Sequence, residues 1–442
     1  MGVAVRRGGL PPTYVGGYHD GLPTHGPRVV RPPLTRPSGT LSPPRRRGEG
    51  RGEGCVPFRF RGTNREPGRL VESLPARASP GEGVTRGQPG RFRPKKGLKF
   101  GDAVWYFPWA VKPPIPAIWR IDVEPDEFQP AVGAKPWLGL EATCELVDRL
   151  RVSLRQRSGQ PVHPTWLLRL DPDVGRCFGR TDFVVHEHRA RFDEIRAHGD
   201  PLGLHVHPYR WDAERQTAYS DHADHAWTRH CLEVSARTFE QCFGEAPRRL
   251  SFGGYFLGEA EADAAIELGF EVELTAEPGL APKAEDASLG TYSTAPTADF
   301  RTWPRQPYFP SRESLGVPAV SRAASRRLLL VPLTSYDYQT ALTPWYRRWA
   351  KIALGRPRTH LPLNPWKWWP SPQAYWDLVE RAADEQPARY FSFAMRTETP
   401  GTTTDQRVRG LLEYLPQHPI AERIRFVDPL APAITSLAVP LA

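Results

Sequence analysis

Leu202-Gly203-Leu204-His205-Val206-His207-Pro208 is a short apolar run closed by proline, and in an extended chain its two histidines fall on the same face. Such a run reads as a buried strand, and its flanks at 189–198 and 223–243 carry helical periodicity. The alternation repeats in both directions. Strands are predicted at 117–123, 165–170, 249–252, 270–274, 328–333, 389–395 and 423–427, and further helices at 140–155, 259–268, 372–385 and 405–415. Gly269 closes the 259–268 helix in the manner of a C-terminal cap. Eight strands separated mostly by helices predict an α/β fold in which parallel β-α units close into a barrel. The Pro/Ser/Ala-rich span 277–326 and the Trp/Pro-rich span 345–370 read as insertions.

Charge divides the 442-residue chain unevenly. The whole carries +10, but residues 1–100 hold 20 basic against 6 acidic side chains, so +14 lies in the first hundred residues and −4 in the rest. That segment contains 17 Arg, 19 Gly and 15 Pro and shows no sustained period, so residues 1–97 read as a disordered low-complexity tail, or as a stretch translated from a start codon upstream of the true one. A uniformly basic nucleic-acid-binding fold is excluded for the remainder, which is mildly acidic. Arg-Gly pairs such as Arg47-Gly48 and Arg61-Gly62 leave an RNA-associated role open for the tail alone. Five cysteines without a C-x-x-C pair argue against a disulfide framework. With no apolar signal run and no stretch of about 18 apolar residues, the expectation is a cytoplasmic protein with no membrane span.

Functional groups in such barrels gather where strands end. The first strand ends Trp119-Arg120-Ile121-Asp122-Val123-Glu124-Pro125-Asp126, which puts Asp122 and Glu124 on one face. Nine of the 13 histidines lie between His163 and His230, so that region is where a metal is expected. Two imidazoles and a carboxylate make a catalytic site for zinc or another divalent ion, and a second carboxylate supplies a general base. The favoured division gives Glu124, His205 and His207 to the metal and Asp122 to proton transfer. The reverse assignment of the two carboxylates satisfies the same pattern, and Asp126 is a third candidate. Asp171 and Asp173 flank a proline after the second strand, Gly253 and Gly254 follow the fourth, and Glu277 ends the fifth, all placed to line the same mouth. His222 and His225 share a helix start and are not expected to form a second metal site. Trp345, Trp349, Trp366, Trp368 and Trp369 crowd the second insertion and suit either burial or a sugar platform.

The Asp-Val-Glu-Pro-Asp strand end, the Trp166–Asp171 strand, the Gly-Leu-His-Val-His-Pro segment and the later Leu-Thr-Ala-Glu-Pro-Gly strand together resemble the polysaccharide deacetylase superfamily over most of 115–430. The resemblance implies a distorted (β/α) barrel of about seven to eight strands and a divalent metal, most simply zinc. It also implies hydrolytic removal of N- or O-acyl groups from a carbohydrate or glycan precursor. Asp122 then matches the family's base, Glu124 its metal carboxylate and His205 its first histidine ligand. Two positions depart from the family. Tyr209 stands four after His205, where the second ligand is usual, so His207 takes that part and Tyr209 is expected to contact substrate. The late strand runs into Arg396-Thr397-Glu398, where the family carries a histidine acid; Arg396 can bind an anionic group or stabilise an oxyanion but cannot deliver a proton at neutral pH. The alternative is therefore a catalytically silent relative that binds glycan or joins a biosynthetic complex.

Overall fold

β1 (Ile115–Val123) pairs in parallel with strands on both sides and forms the middle of the molecule. Seven parallel strands run in the spatial order β6-β5-β4-β3-β2-β1-β7, where β2 is Thr165–Leu168, β3 Leu202–Val206, β4 Arg249–Phe252, β5 Val272–Glu273, β6 Leu329–Leu330 and β7 Phe391–Arg396. An eighth, β8 (Ile424–Phe426), pairs with the first three residues of β1, while β2 pairs with its last four. The computed structural model describes residues 112–126, 137–284, 286–289, 292–294, 297–337, 360–367, 369–397 and 400–438, all within a unit spanning Phe100–Ala442. The tail at 1–97, its boundary with the barrel, residues 345–359 of the second insertion, and Trp368 lie outside these residues.

The sheet curls, as period-two patterning shows. Trp119, Ile121 and Val123 of β1 join the large cluster that packs under the helices, whereas Ile118 joins Leu167, Val272, Leu274, Leu329, Val331 and Tyr390 in a second cluster. That second cluster draws on β1, β2, β5 and β6 but on neither β3 nor β4, which requires the sheet to bend round on itself. The ends of the path meet through one residue: Thr334 N–H donates to the Ser392 carbonyl at 2.9 Å, and Ser392 N–H donates to Thr334 Oγ1 at 2.9 Å. The barrel is thus closed by a loop residue rather than by a full ladder, which is its distortion.

The helices are α1 (Leu138–Ser158), α2 (Pro172–Phe178), α3 (Phe183–Glu187), α4 (Arg189–Ala197), α5 (His225–Phe243), α6 (Glu259–Glu267), α7 (Pro372–Glu385) and α8 (Thr403–Tyr414). Five of the predicted helices, and the strands at 202–206 and 249–252, fall within two residues of expectation. The strand predicted at 270–274 shortens to β5, because Phe270 N–H is tied to Ala265 at the end of α6. α2 and α3 were not expected, although Asp171-Pro172 is a helix start: the Asp171 carboxylate accepts from Asp173 and Val174 N–H, and Pro172 opens the first turn. The first insertion holds two strands, 286–289 and 292–294, which join a hairpin of 209–212 and 217–220 in a separate four-stranded sheet. Among the described residues no helix is long and apolar enough to cross a membrane.

Candidate metal centre

Strand alternation carries Ile118, Arg120, Asp122 and Glu124 along one face of β1, and Gly203, His205 and His207 along the facing side of β3. The neighbouring positions Leu204 and Val206 anchor β3 in the large core, which fixes which way the histidines point. Glu124, His205 and His207 are all buried, and their ligand atoms lie within 4.8 Å of one another; among the described residues this is the one such group. His205 Nε2 and His207 Nε2 are 3.0 Å apart, His205 Nε2 is 3.3 Å from Glu124 Oε1, and His207 Nε2 is 3.4 Å from Glu124 Oε2. Bonds of about 2.0–2.1 Å to one ion, at angles between a right angle and the tetrahedral value, separate donor atoms by roughly 3.0–3.4 Å. With Glu124 offering both of its oxygens, the three distances fit a shared cation.

The protonation states fit as well. Burial, then the Arg169 guanidinium, pushes His207 down to about 3, leaving its ring neutral. Burial raises the Glu124 carboxyl, but His205 and then His207 outweigh it and hold the group well below the ordinary carboxylate range. Glu124 Oε1 is buried and accepts no hydrogen bond, an orphaned acceptor that a cation would satisfy.

Surrounding groups hold the three side chains. His205 Nδ1 meets Ser251 Oγ of β4 at 2.7 Å, which turns Nε2 to the cluster. The His207 ring stacks on Tyr209 at 5.0 Å, and Tyr209 in turn lies 5.4 Å under the Arg169 guanidinium. Thr397, just past β7, accepts from Glu124 N–H at 2.9 Å and donates to Glu124 C=O at 2.7 Å. Asp122 is fully buried; its Oδ2 accepts from Arg120 at 2.9 Å, while Oδ1 has no hydrogen-bond partner and lies 3.6 Å from His205 Nδ1.

Several expected site residues do other work. Asp126 accepts from Leu138 and Gly139 N–H at 2.8 and 2.7 Å, so it caps α1 and does not face a ligand. Asp171 is fully buried and engaged by Arg169, by the α2 start and by His207 N–H, which ties the second strand to the third and leaves no surface for a substrate. Tyr209 is likewise buried as the stacking partner of His207. Gly253 gives space to a protein ring: a Cβ there would meet His207 Cε1 and Nε2 at 2.0 Å. Gly254 at φ +70° and Tyr255 at φ +59° form a left-handed pair, a conformation that costs a non-glycine residue about 1–3 kcal/mol and sets Tyr255 beside Glu277. Glu277 is 4% exposed at the mouth, its carboxyl raised by burial against the pull of Arg120, Lys367, Arg396 and Lys283. Arg396 Nε comes within 3.9 Å of Glu124 Oε1, on the strand position paired with Asp122.

His222 and His225 make no second centre: His222 stacks on Phe256 at 3.6 Å, and His225 Nδ1 meets Glu261 at 2.7 Å. Trp369 is buried, and Trp366 lies partly buried near Arg396. The four described cysteines are free thiols, with burial pushing Cys144 up to about 12 and Cys177 to about 11, so thiol nucleophiles are excluded at those positions. Arg120, Arg169, Ser251 and Thr397 escaped the sequence reading; only Arg120 and Arg169 carried a signal, as charges inside otherwise apolar strands.

No protein-family model matches the chain, and no curated protein matches it in sequence. Among solved structures it is similar to a candidate polysaccharide deacetylase from Mycobacterium smegmatis, at 12% identity and TM-score 0.40 over 75% of this chain and 94% of that one. It is also similar to a candidate glycoside hydrolase/deacetylase from Parabacteroides distasonis, at 12% identity and TM-score 0.40 over 71% of this chain and 69% of that one. A CE4 family pseudoenzyme from Bacillus anthracis is similar at 11% identity and TM-score 0.28, over 71% and 67%. The strand order and register, not these likenesses, define the barrel.

Proposed function

We propose that this protein is a metal-dependent hydrolase that removes acyl groups from a carbohydrate. The observation that carries the reading is the buried convergence of Glu124, His205 and His207 at donor spacings suited to one divalent ion, with Asp122 beside them. The sequence resemblance to polysaccharide deacetylases agrees with it. When bound, such an ion supplies Lewis-acid polarisation of an acyl carbonyl and acidifies water; zinc suits a His-His-carboxylate set.

The chain's own groups do the rest. Arg120 occupies Asp122 Oδ2, so Oδ1 is the oxygen that takes the proton from the attacking water. Arg396 brings a permanent positive charge to the same end of the strands, where it stabilises negative charge developing on the acyl oxygen. Ser251, Tyr209 and Thr397 hold His205, His207 and the Glu124 backbone in place. The proposed setting is a cytoplasmic step on a glycan precursor.

The experiment is release of acetate from N-acetylchitotetraose and from O-acetylated xylo-oligosaccharide by the zinc-loaded full chain, with and without chelator. Chelator-sensitive release from either supports the reading. Tight metal binding without release from either favours the second reading, a silent glycan binder, for which the specific observation is Arg396 at the strand end where the resembled family carries its histidine acid.

A further inference from the structure

Three neighbouring strand ends are tied together beside the metal cluster. His207 leads through Pro208 directly into the hairpin of 209–212 and 217–220, and Asp221 N–H donates to the Pro208 carbonyl at 2.9 Å, so the hairpin stands next to a candidate ligand. Arg210 fastens it to the start of α5, reaching Asp224 at 2.7 Å and lying 4.7 Å over the Trp227 ring. On another side the Arg176 guanidinium of α2 lies 4.5 Å over Trp211. Beyond β5 the chain rises as a ribbon. Gly279 N–H donates to the Phe300 carbonyl at 2.9 Å, Lys283 N–H to Thr297 Oγ1 at 2.8 Å, and Thr297 N–H back to the Lys283 carbonyl at 3.1 Å. Strands 286–289 and 292–294 extend it, and 292–294 adds to the hairpin with Ala218 opposite Tyr292 and Tyr219 opposite Ser293. The segment after β4 is held from both sides: Phe256 stacks on His222 at 3.6 Å, and Lys283 Nζ lies 5.1 Å over the Tyr255 ring.

We propose that this small sheet is a wall that ends the glycan cleft, so that the acylated sugar is a terminal unit whose chain leads away from the ends of β3, β4 and β5. A polymer lying across a barrel mouth needs it open on opposite sides, whereas three of the seven ladder strands in a row end at this wall. The candidate ligands come from β1 and β3, so a chain passing them in that direction meets the hairpin next. A further sugar there would have to displace paired backbone, which is selection by exclusion. The proposal rests on the deacylase reading only for the ligand being a glycan, and recognition of a chain end needs no hydrolysis.

The test is mass-spectrometric mapping of acetyl loss from N-acetylchitotetraose by the zinc-loaded full chain. Beside it, calorimetry measures binding of the same tetramer, uncapped or carrying a bulky cap at its reducing or its non-reducing end. The expected result is acetyl loss confined to one terminal unit. A cap at that end should weaken binding at least about tenfold, while the cap at the other end leaves it within about twofold of the uncapped tetramer. Replacing residues 286–294 by Gly-Gly, above the pinned Lys283–Thr297 base, should restore binding of the excluded tetramer to within about twofold and open interior units to acetyl loss. The wild-type measurements decide the matter alone should that variant not fold. Acetyl loss from interior units by the wild-type chain, equal tolerance of both caps, no binding of the tetramer, or a cap effect unchanged in the folded variant overturns the proposal. End-dependent binding without acetyl loss leaves it standing and removes the deacylase reading alone, whereas interior acetyl loss does the reverse.

Discussion

The His207 ring fills the space that a side chain on Gly253 would need: a Cβ there would come within 2.0 Å of both Cε1 and Nε2. Glycine after β4 is therefore a condition for the place His207 takes in the proposed metal centre, although the two residues follow different strands. Gly253→Ala should push the imidazole away from Glu124 and weaken zinc binding at least about tenfold, at an overpacking cost of about 1–3 kcal/mol. Zinc titration with a competing chelator, beside chemical denaturation, separates the two effects. Unchanged affinity would show that the ring has another place to go.

Thr397→Val tests the support beneath Glu124. The hydroxyl satisfies both the N–H and the C=O of that residue, and valine leaves both buried without it. The expected loss is about 1–3 kcal/mol of folding stability, together with weaker metal binding. Thr397→Ser should restore most of both, since it returns the hydroxyl.

Asp122→Asn distinguishes proton transfer from ligand support. As the base, Asp122 can be replaced with zinc content intact and turnover reduced at least about a hundredfold. If its closeness to His205 Nδ1 is what counts, zinc affinity falls about 10–100-fold instead. Zinc content and acetate release on the same sample read both outcomes.

Stability of the metal-free chain should fall on acidification through His222 as well as through His207. Burial pushes His222 down to about 3, whereas an unfolded histidine titrates near about 6.5. Between those values the unfolded chain takes up a proton that the folded one refuses, so stability drops by about 1.4 kcal/mol per pH unit as pH falls. Above that window the residue contributes no slope. His222→Phe keeps the stacking on Phe256 and should flatten the profile by that amount, as measured by denaturation from pH 7 to pH 4.

How far the sequence could be read is set by distance along the chain. β1 and β3 end in Asp-Val-Glu and His-Val-His, so a period of two alone puts the carboxylates on one face and the imidazoles on another. That four of these side chains meet follows from strand order, which the β-α alternation predicted. Gly253 read as part of the mouth, yet what lies against it is the His207 ring, because β4 lies beside β3. Thr397 carried no signal: its role exists only because β7 runs along β1, more than 270 residues away in sequence. Asp126 and Asp171 misled for a physical reason. A carboxylate near the end of a strand and ahead of a helix serves a site or caps that helix, and sequence spacing is the same in both cases.

Binding of one divalent ion by Glu124, His205 and His207 is tested by metal content. The direct measurement is elemental analysis of the full chain after zinc loading and gel filtration, beside Glu124→Ala, His205→Ala and His207→Ala. Close to one zinc per wild-type chain is expected, with loss of that zinc in each variant that remains folded by circular dichroism. A folded wild-type chain without stoichiometric metal, or variants that keep it, would show that these three side chains do not form a metal centre.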